Sequence, residues 1–336
     1  MMEKLEIGRL PKIPSPDEIL EISFRLAYEA AKSVQIKGRP AYVARERETR
    51  RIRVASQAIR RKLKKIVARM PSFTNMHPFY RELIGALISV DEIKKSLGAI
   101  DKTAAVVEKI EREHIRMLRD VKSADEASSI RKSAYGRLSS AVKRTGNNLK
   151  LLREAAGKLS KVPSVFIGMP TLVIAGYPNV GKTMLLKRLT GSEPKIAPYP
   201  FTTQGLNLGY FERGHKRYQV IDTPGLLDRP LEKRNPIERQ TITALRHLAN
   251  IIIFVLDPSG TCGYGFEEQL NLLDDIKRTF SEVEVLTVVN KVDLLDEGRT
   301  KEVAERCGEA IFLSAETGQG LEGLLEAVKL LISRIP

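Results

Sequence analysis

Gly176-Tyr177-Pro178-Asn179-Val180-Gly181-Lys182-Thr183 is the stretch that decides the fold. It fits G-x-x-x-x-G-K-[ST], the pattern of a loop that wraps polyphosphate. Leu172-Val173-Ile174-Ala175 ahead of it is a short apolar run, which reads as a buried parallel strand. Met184-Leu185-Leu186-Lys187-Arg188-Leu189 behind it opens a helix that Gly191 ends. Strand, glycine turn and helix N-terminus together aim several backbone N–H groups and a positive dipole end at one point. Residues 176–184, through Met184, are the expected cradle. Lys182 is expected to reach the β- and γ-phosphates, and the Thr183 hydroxyl to ligate Mg²⁺.

From residue 171 onward, strands and helices alternate. Apolar runs fall at 172–176, 217–222, 250–256, 283–289 and 310–313, and amphipathic helices near 182–190, 236–249, 264–279, 298–307 and 319–334. This is the pattern of an α/β phosphate-loop domain with a mixed, mostly parallel sheet of six strands. Residues 205–212, joined to 217–222 through Gly214, read as a hairpin that adds one antiparallel edge.

Ligands of such sheets sit at the carboxyl ends of strands, and three further motifs fall there. Asp222-Thr223-Pro224-Gly225 ends one strand: Asp222 can hold Mg²⁺ through water, and the Gly225 N–H can bond a γ-phosphate. Asn290-Lys291-Val292-Asp293 ends another. Its Asp293 carboxylate can accept from N1–H and N2–H₂ of guanine, an edge adenine lacks, so GTP is expected over ATP. Asn290 should brace the phosphate loop and the Lys291 stem should cover one base face. Ser314-Ala315-Glu316 follows a third strand, where Ser314-Ala315 would offer a backbone N–H to guanine O6. In this order, each at a strand end, the motifs describe a GTPase.

Tyr199-Pro200-Phe201-Thr202-Thr203-Gln204-Gly205 lies where a mobile loop should carry a threonine to Mg²⁺ and the γ-phosphate; Thr202 and Thr203 both fit. Leu226 follows Gly225, where a water-orienting glutamine would stand in Ras-like enzymes. A leucine cannot hydrogen-bond water, so slow intrinsic hydrolysis is expected. Asn179, beside the phosphates, can either hold a potassium ion that supplies positive charge or brace the loop. Lys182, Thr203, Gly225 and Asn179 are thus the catalytic candidates, and Thr183, Thr203 and Asp222 the metal candidates. Lys233, Arg234 and Arg239 read as a partner surface, and neither His215 nor His247 is given a catalytic part.

The first half of the 336-residue chain is different in kind. Residues 1–170 carry 36 Lys+Arg against 19 Asp+Glu, a net +17, while the remainder carries 20 against 22, a net −2. The whole excess of the chain's formal +15 precedes the phosphate loop, so that half seeks a polyanion. Its patterning is helical. Ser15-Pro16-Asp17-Glu18 is a capping box opening a helix expected to reach about Ile36. A second spans about 41–70, with Ile52, Ala55, Ile59, Leu63, Ile66 and Met70 on one stripe. Around that stripe stand Arg45, Arg47, Arg50, Arg51, Arg53, Arg60, Arg61, Lys62, Lys64 and Lys65, the candidate RNA-binding residues. A third long helix, about 91–121, places Met117 and His114 on its apolar side, the latter as a core histidine. The expected division is an all-α basic bundle over 1–165 and a nucleotide domain over 166–336.

Cys262 and Cys307 offer neither a disulfide framework nor a metal cluster. Met1-Met2-Glu3-Lys4-Leu5-Glu6 is too charged for a signal peptide, and no apolar run approaches the roughly 20 residues needed to cross a bilayer. A cytoplasmic protein without membrane contact is expected.

Several segments also resemble the nucleolar GTP-binding protein 1 family of the Obg-related group. They are the phosphate loop, Pro198-Tyr199-Pro200-Phe201-Thr202-Thr203, Asp222-Thr223-Pro224-Gly225-Leu226-Leu227-Asp228, Arg234-Asn235-Pro236-Ile237-Glu238-Arg239-Gln240, Cys262-Gly263-Tyr264 and His77-Pro78-Phe79-Tyr80. The resemblance implies a GTP-hydrolysing assembly factor of the large ribosomal subunit, with its helical domain on rRNA and ribosomal proteins as neighbours. It implies a protein monomeric off the ribosome, and it matches Leu226, since the group replaces the glutamine by a hydrophobic residue; some relatives use potassium. Eukaryotic members continue past the point where this chain ends at Pro336, so the shorter archaeal form is the expectation. Two other readings stand beside it: an RNA-binding scaffold in which GTP is mainly structural, and a regulatory GTPase acting on protein partners.

Overall fold

The computed structural model describes residues 3–4, 10–33, 37–199, 205–230 and 234–334. The chain forms two compact units, and the division is not a single cut after residue 165. One unit comprises Ile7–Phe73 and Ile88–Ser160; the other takes Met1–Glu6, Thr74–Leu87 and Lys161–Pro336. Two elements from residues 1–165, expected to be wholly helical bundle, therefore belong to the α/β unit: strand β1 (Glu3–Lys4) and the helix Pro78–Leu87.

The first unit is all helix. Helix α1 (Pro16–Lys32) starts on the expected capping box: Ser15 Oγ accepts from the Glu18 N–H at 3.2 Å, and Glu18 Oε2 accepts from the Ser15 N–H at 2.7 Å. Ser33 caps its end, and the expected extension to Ile36 falls outside the described residues. Helix α2 (Pro40–Arg69) buries the stripe Ile52, Ala55, Ile59, Leu63 and Ile66, as its spacing dictates. Helix α3 (Pro78–Leu87) leaves this unit, and α4 (Val90–Met117), α5 (Ala124–Lys143) and α6 (Gly146–Leu159) complete it. Met117, expected on the apolar face, is exposed because the helix tightens into a 3₁₀ turn there and buries Leu118 instead. His114 is a core histidine: Nδ1 lies 2.8 Å from the Ile110 carbonyl and Nε2 3.4 Å from Ser133 Oγ.

In the second unit, β1 pairs antiparallel with β2 (Phe166–Ile167), a pairing too short to leave a pattern in the sequence. The main sheet runs through β3 (Thr171–Ala175), β4 (Lys195–Ala197), β5 (Leu206–Arg213), β6 (Lys216–Asp222), β7 (Ile251–Leu256), β8 (Glu284–Val289) and β9 (Ile311–Phe312). Their order is β4-β5-β6-β3-β7-β8-β9. β3 is parallel to β6 on one side and β7 on the other, and the hairpin β5–β6 supplies the antiparallel edge. Seven strands stand where six were expected: three-residue β4, two of its residues exposed, carries no apolar signature. Helices α7 (Lys182–Thr190), α8 (Pro236–Ala244), α9 (Phe266–Thr279), α10 (Glu297–Cys307) and α11 (Leu321–Arg334) alternate with the strands. Strand order and loop make this a P-loop GTPase-like α/β domain. β3 and β7 are buried along their whole length, as strands covered on both faces must be. Their carboxyl ends flank the point where the chain switches sides of β3, which is where such sheets hold ligands.

Helix α3 is fixed within this unit by Tyr80, fully buried. Its hydroxyl accepts from the Val165 N–H at 3.1 Å and lies 3.2 and 3.3 Å from the Pro163 and Val165 carbonyls. Burial pushes the Tyr80 phenol up to about 12, and that of Tyr135 in α5 likewise to about 12, from the ordinary 10.0. A raised folded-state value stabilises fully below the unfolded value and is lost as pH climbs through the folded one. Stability is therefore expected to hold up to about pH 10 and to fall between there and about pH 12. Tyr80→Phe strands the Val165 N–H and is expected to cost about 1–3 kcal/mol in denaturant unfolding at neutral pH. It should also flatten the alkaline decline.

Candidate nucleotide site

The phosphate loop is built on positive backbone angles that its sequence supplies. Gly176 has φ 134 and Gly181 φ 102, while Asn179, at φ 63, is a residue type that tolerates the left-handed region. Both glycines are also required by space. A Cβ at Gly176 would stand 2.5 Å from the Val255 carbonyl oxygen, and one at Gly181 2.2 Å from Asn290 Nδ2. From Gly181 the chain enters α7, so Lys182 and Thr183 occupy its first turn.

Lys182 is buried, and its Nζ donates to the carbonyls of Gly176 (2.8 Å) and Tyr177 (2.7 Å). Burial lowers its pKa, while Asp222 and Asp228 oppose that shift. Thr183 Oγ1 donates to Asp222 Oδ2 at 2.7 Å, which also accepts from Asn207 Nδ2 at 2.9 Å. Asp222 is fully buried, and among the described residues its Oδ1 has no hydrogen-bond partner. An orphaned carboxylate oxygen beside a threonine hydroxyl is a pair of oxygen ligands of the kind a hard divalent cation takes, so Asp222 and Thr183 fit Mg²⁺, while the Lys182 ammonium can only meet phosphate. Asn207 was missed by sequence reading; its signal is register, since it stands opposite Asp222 on the β5–β6 ladder.

These groups line one cavity of about 560 Å³, with Pro178, Asn179, Gly181, Met184, Pro224, Gly225 and Asp228 completing the wall. Val180 is buried behind the loop, and Tyr177 packs against Tyr264 with ring centroids 4.3 Å apart. Gly225 has φ 73, while Leu226 is buried and directs no polar group toward the cavity. Thr202, Thr203 and Lys233 lie outside the described residues.

On the base side, Asn290 does what its motif predicts. Nδ2 donates to the Val180 carbonyl at 2.8 Å and Oδ1 accepts from the Ala315 N–H at 2.9 Å. Lys291, at φ 61, donates from Nζ to Asn179 O (2.9 Å), Asp257 Oδ2 (2.7 Å) and Thr261 Oγ1 (2.7 Å). Asp257, buried, also accepts from the Ser259 N–H at 3.0 Å. The amide of Gln269 holds its backbone, accepting from the Asp257 N–H and donating to the Asp257 carbonyl. Asp257, Thr261 and Gln269 carry no motif that names them. Asp293 is exposed. The donor expected from Ser314-Ala315 is engaged inside the protein, since Ser314 N–H bonds the Gln319 carbonyl and Ala315 N–H bonds Asn290. Among the described residues, the Glu316 N–H is the one of the three without an intramolecular acceptor.

Arg234 overturns its surface reading. It is buried, and its guanidinium bonds the carbonyls of Gly225 and Leu226 and the Asp228 carboxylate. The residues after it form a capping box, Asn235 Oδ1 accepting from Glu238 N–H at 2.8 Å with Pro236 in the first turn of α8. His247 bonds Glu82 at 2.9 Å, consistent with a structural part.

The ten basic residues of α2 are not equivalent. Arg51 pairs with Glu48 (2.9 Å), Arg60 with Glu108 (3.0 Å) and Glu111 (3.9 Å), and Arg45 with Glu46 (3.3 Å). Arg50, though exposed, donates to the Ala30 carbonyl at 3.2 Å, and Lys62 is half-buried with a lowered pKa. Arg47, Arg53, Arg61, Lys64 and Lys65 are exposed. Part of the helix's charge is thus met by acids of α2 itself and part by acids of α4, and only the latter could not be seen in its own sequence.

Residues 8–165 match the model of the nucleolar GTP-binding protein 1 (NOG1) N-terminal helical domain, and residues 236–293 match that of nucleolar GTP-binding protein 1. The chain belongs to the nucleolar GTP-binding protein 1 family. An uncharacterized protein of Methanocaldococcus jannaschii is 40% identical over 294 residues, covering 87% of this chain and 82% of the relative. Nucleolar GTP-binding protein 1 of Drosophila melanogaster is 33% identical over 294 residues, covering 88% of this chain and 45% of the relative. That of Saccharomyces cerevisiae is 32% identical over 286 residues, covering 85% and 44%. The chain spans about half the length of these named relatives. Among solved structures, the G domain of the T. maritima FeoB iron transporter is 28% identical with a TM-score of 0.40, covering 49% of this chain and 99% of that one.

Gly181→Ala tests the packing of the site. The added methyl must displace Asn290, so a loss of about 1–3 kcal/mol in thermal stability is expected, with weakened nucleotide binding by fluorescence titration.

Proposed function

We propose that this protein is a guanine-nucleotide switch that hydrolyses GTP slowly and docks its basic helical unit on rRNA of the pre-ribosomal large subunit. The observation that carries it is the Asn290 amide tying the phosphate loop to the loops of the Asn-Lys-x-Asp and Ser-Ala motifs, with Lys182, Thr183 and Asp222 in one cavity. The family name, nucleolar GTP-binding protein 1, agrees. Asp293, exposed at the base loop, would accept from the guanine edge, and Glu316 N–H would donate to O6.

On binding, the Lys182 ammonium would exchange the carbonyls of Gly176 and Tyr177 for phosphate oxygens, where it neutralises charge that develops on the γ-phosphoryl group. Thr183, Asp222 and Thr202 or Thr203 would hold Mg²⁺, which when bound neutralises β- and γ-oxygens. The Gly225 N–H would add a hydrogen bond to the γ-phosphate. Leu226, buried and apolar, orients no water, and this supports slow turnover. The exposed Asn179 side chain is the proposed ligand for a potassium ion.

Arg47, Arg53, Arg61, Lys64 and Lys65 support the RNA reading, since they are exposed cations on a single helix. Binding of large-subunit rRNA, followed with GDP and with a non-hydrolysable GTP analogue across a salt series, is expected to show a steep salt slope and tighter association in the GTP-like state. Equal affinity in both states sinks the switch, because a ligand without differential affinity moves no equilibrium. Arg61→Glu with Lys64→Glu should flatten the slope without altering nucleotide affinity. Asp293→Asn should weaken GTP binding while favouring xanthosine triphosphate, whose 2-oxo group accepts the amide hydrogen. Competition titration reads that exchange.

A further inference from the structure

Arg234 is placed too deliberately for a surface cation. Its side chain is 2% exposed, its Nη1 donates to the Gly225 carbonyl at 2.8 Å, and its Nη2 donates to the Leu226 carbonyl and to Asp228 Oδ1, both at 2.9 Å. Among the described residues its Nε is buried without a hydrogen-bond partner. Taking a guanidinium out of water costs several kcal/mol unless its partners answer it, so the arrangement is there for more than solubility.

The reason lies in Asp228. Asp228 lines the cavity that holds Lys182, Thr183 and Asp222, while Arg234 stands behind that wall and does not line it. A carboxylate in a cavity built for polyphosphate is a like charge facing the ligand, and repulsion in a partly water-excluded site is strong. A triphosphate brings more negative charge than a diphosphate, so the penalty falls hardest on the γ-phosphate. The same guanidinium that meets this carboxylate also takes the carbonyls of Gly225 and Leu226, and so fixes the peptide units that follow the Gly225 N–H.

We propose that Arg234 is a positioning residue that makes the site selective for the triphosphate: it masks the Asp228 charge and holds the Gly225–Leu226 backbone toward the γ-phosphate position. This rests on reading the cavity as a GTP site. Arg234 touches no reacting atom; it acts through Asp228 and the backbone. When its contacts break, the uncovered Asp228 charge disfavours the triphosphate and leaves the diphosphate little affected.

The test is a charge-rescue cycle, with affinities for GDP and for a non-hydrolysable GTP analogue measured on the full chain for wild type, Arg234→Ala, Asp228→Asn and the double variant. Arg234→Ala is expected to weaken the GTP analogue by about tenfold more than GDP, the scale of one charge-assisted bond. The double variant is expected to recover most of that preference, because no carboxylate remains to be masked. Asp228→Asn alone leaves the Arg234 charge unopposed behind the cavity wall and should tighten the GTP analogue relative to GDP, and this arm needs no variant that empties the arginine's buried place. Equal losses for both nucleotides in Arg234→Ala without rescue, or an unchanged preference in Asp228→Asn, would falsify the proposal. A wild type that binds neither nucleotide would overturn the GTP-site reading along with it, whereas normal wild-type binding with no rescue overturns the arginine's role alone.

Discussion

The side-chain amide of Asn290 is the constraint on which the site depends. One primary amide donates to Val180 in the loop after β3 and accepts from Ala315 in the loop after β9, while standing itself in the loop after β8. Three strand ends are thereby held in one register. The requirement is mutual: the amide fits only because Gly181 has no Cβ, which would stand 2.2 Å away. Lys291 adds a second tie to the loop after β3, through Asn179, and brings in the loop after β7, through the buried Asp257. A loop rich in positive φ stores conformational cost, and it persists because such bonds over-determine it.

Charge is balanced locally on both sides of the site. Lys182, buried among carbonyls, is held against desolvation by Asp222 and Asp228, and Arg234 meets Asp228 from behind. The cavity wall thus carries cations and carboxylates that answer one another. The helical unit uses the same device with the opposite emphasis. Glu48, Glu108 and Glu111 meet the inner arginines of α2, and the outer cations face water. Burial raises the pKa of Glu111 even with Arg60 and Arg53 pulling it down, so these pairs are partly desolvated and serve packing as much as charge.

The membership of α3 in the α/β unit is the least expected feature of the chain's organisation. His77-Pro78-Phe79-Tyr80 sits between long basic helices in sequence, yet Phe79 and Tyr80 are buried and Tyr80 bonds Pro163 and Val165. The chain thus leaves the helical unit and returns to it on either side of this one helix. Pro71 and Pro78 mark the break in sequence, but a break does not say where the following helix docks.

By itself the sequence determined much of what depends on local chemistry. Glycines at 176 and 181, the capping box at Ser15, the apolar runs of β3 and β7 and the stripe of α2 each act within a few residues, so their signal is contiguous. The nucleotide motifs were legible for the same reason, each standing at the end of its own strand. Only the tertiary structure decided what depends on partners far along the chain. Asn207 meets Asp222 because two strands pair, and Asp257 meets Lys291 across 34 positions. Arg60 is paired with Glu108 and Glu111 of another helix, and Arg234, a surface cation by composition, is buried because the carbonyls of its own loop fold back around it. A charge declares its type in the sequence; whether water or a carboxylate answers it is settled by packing.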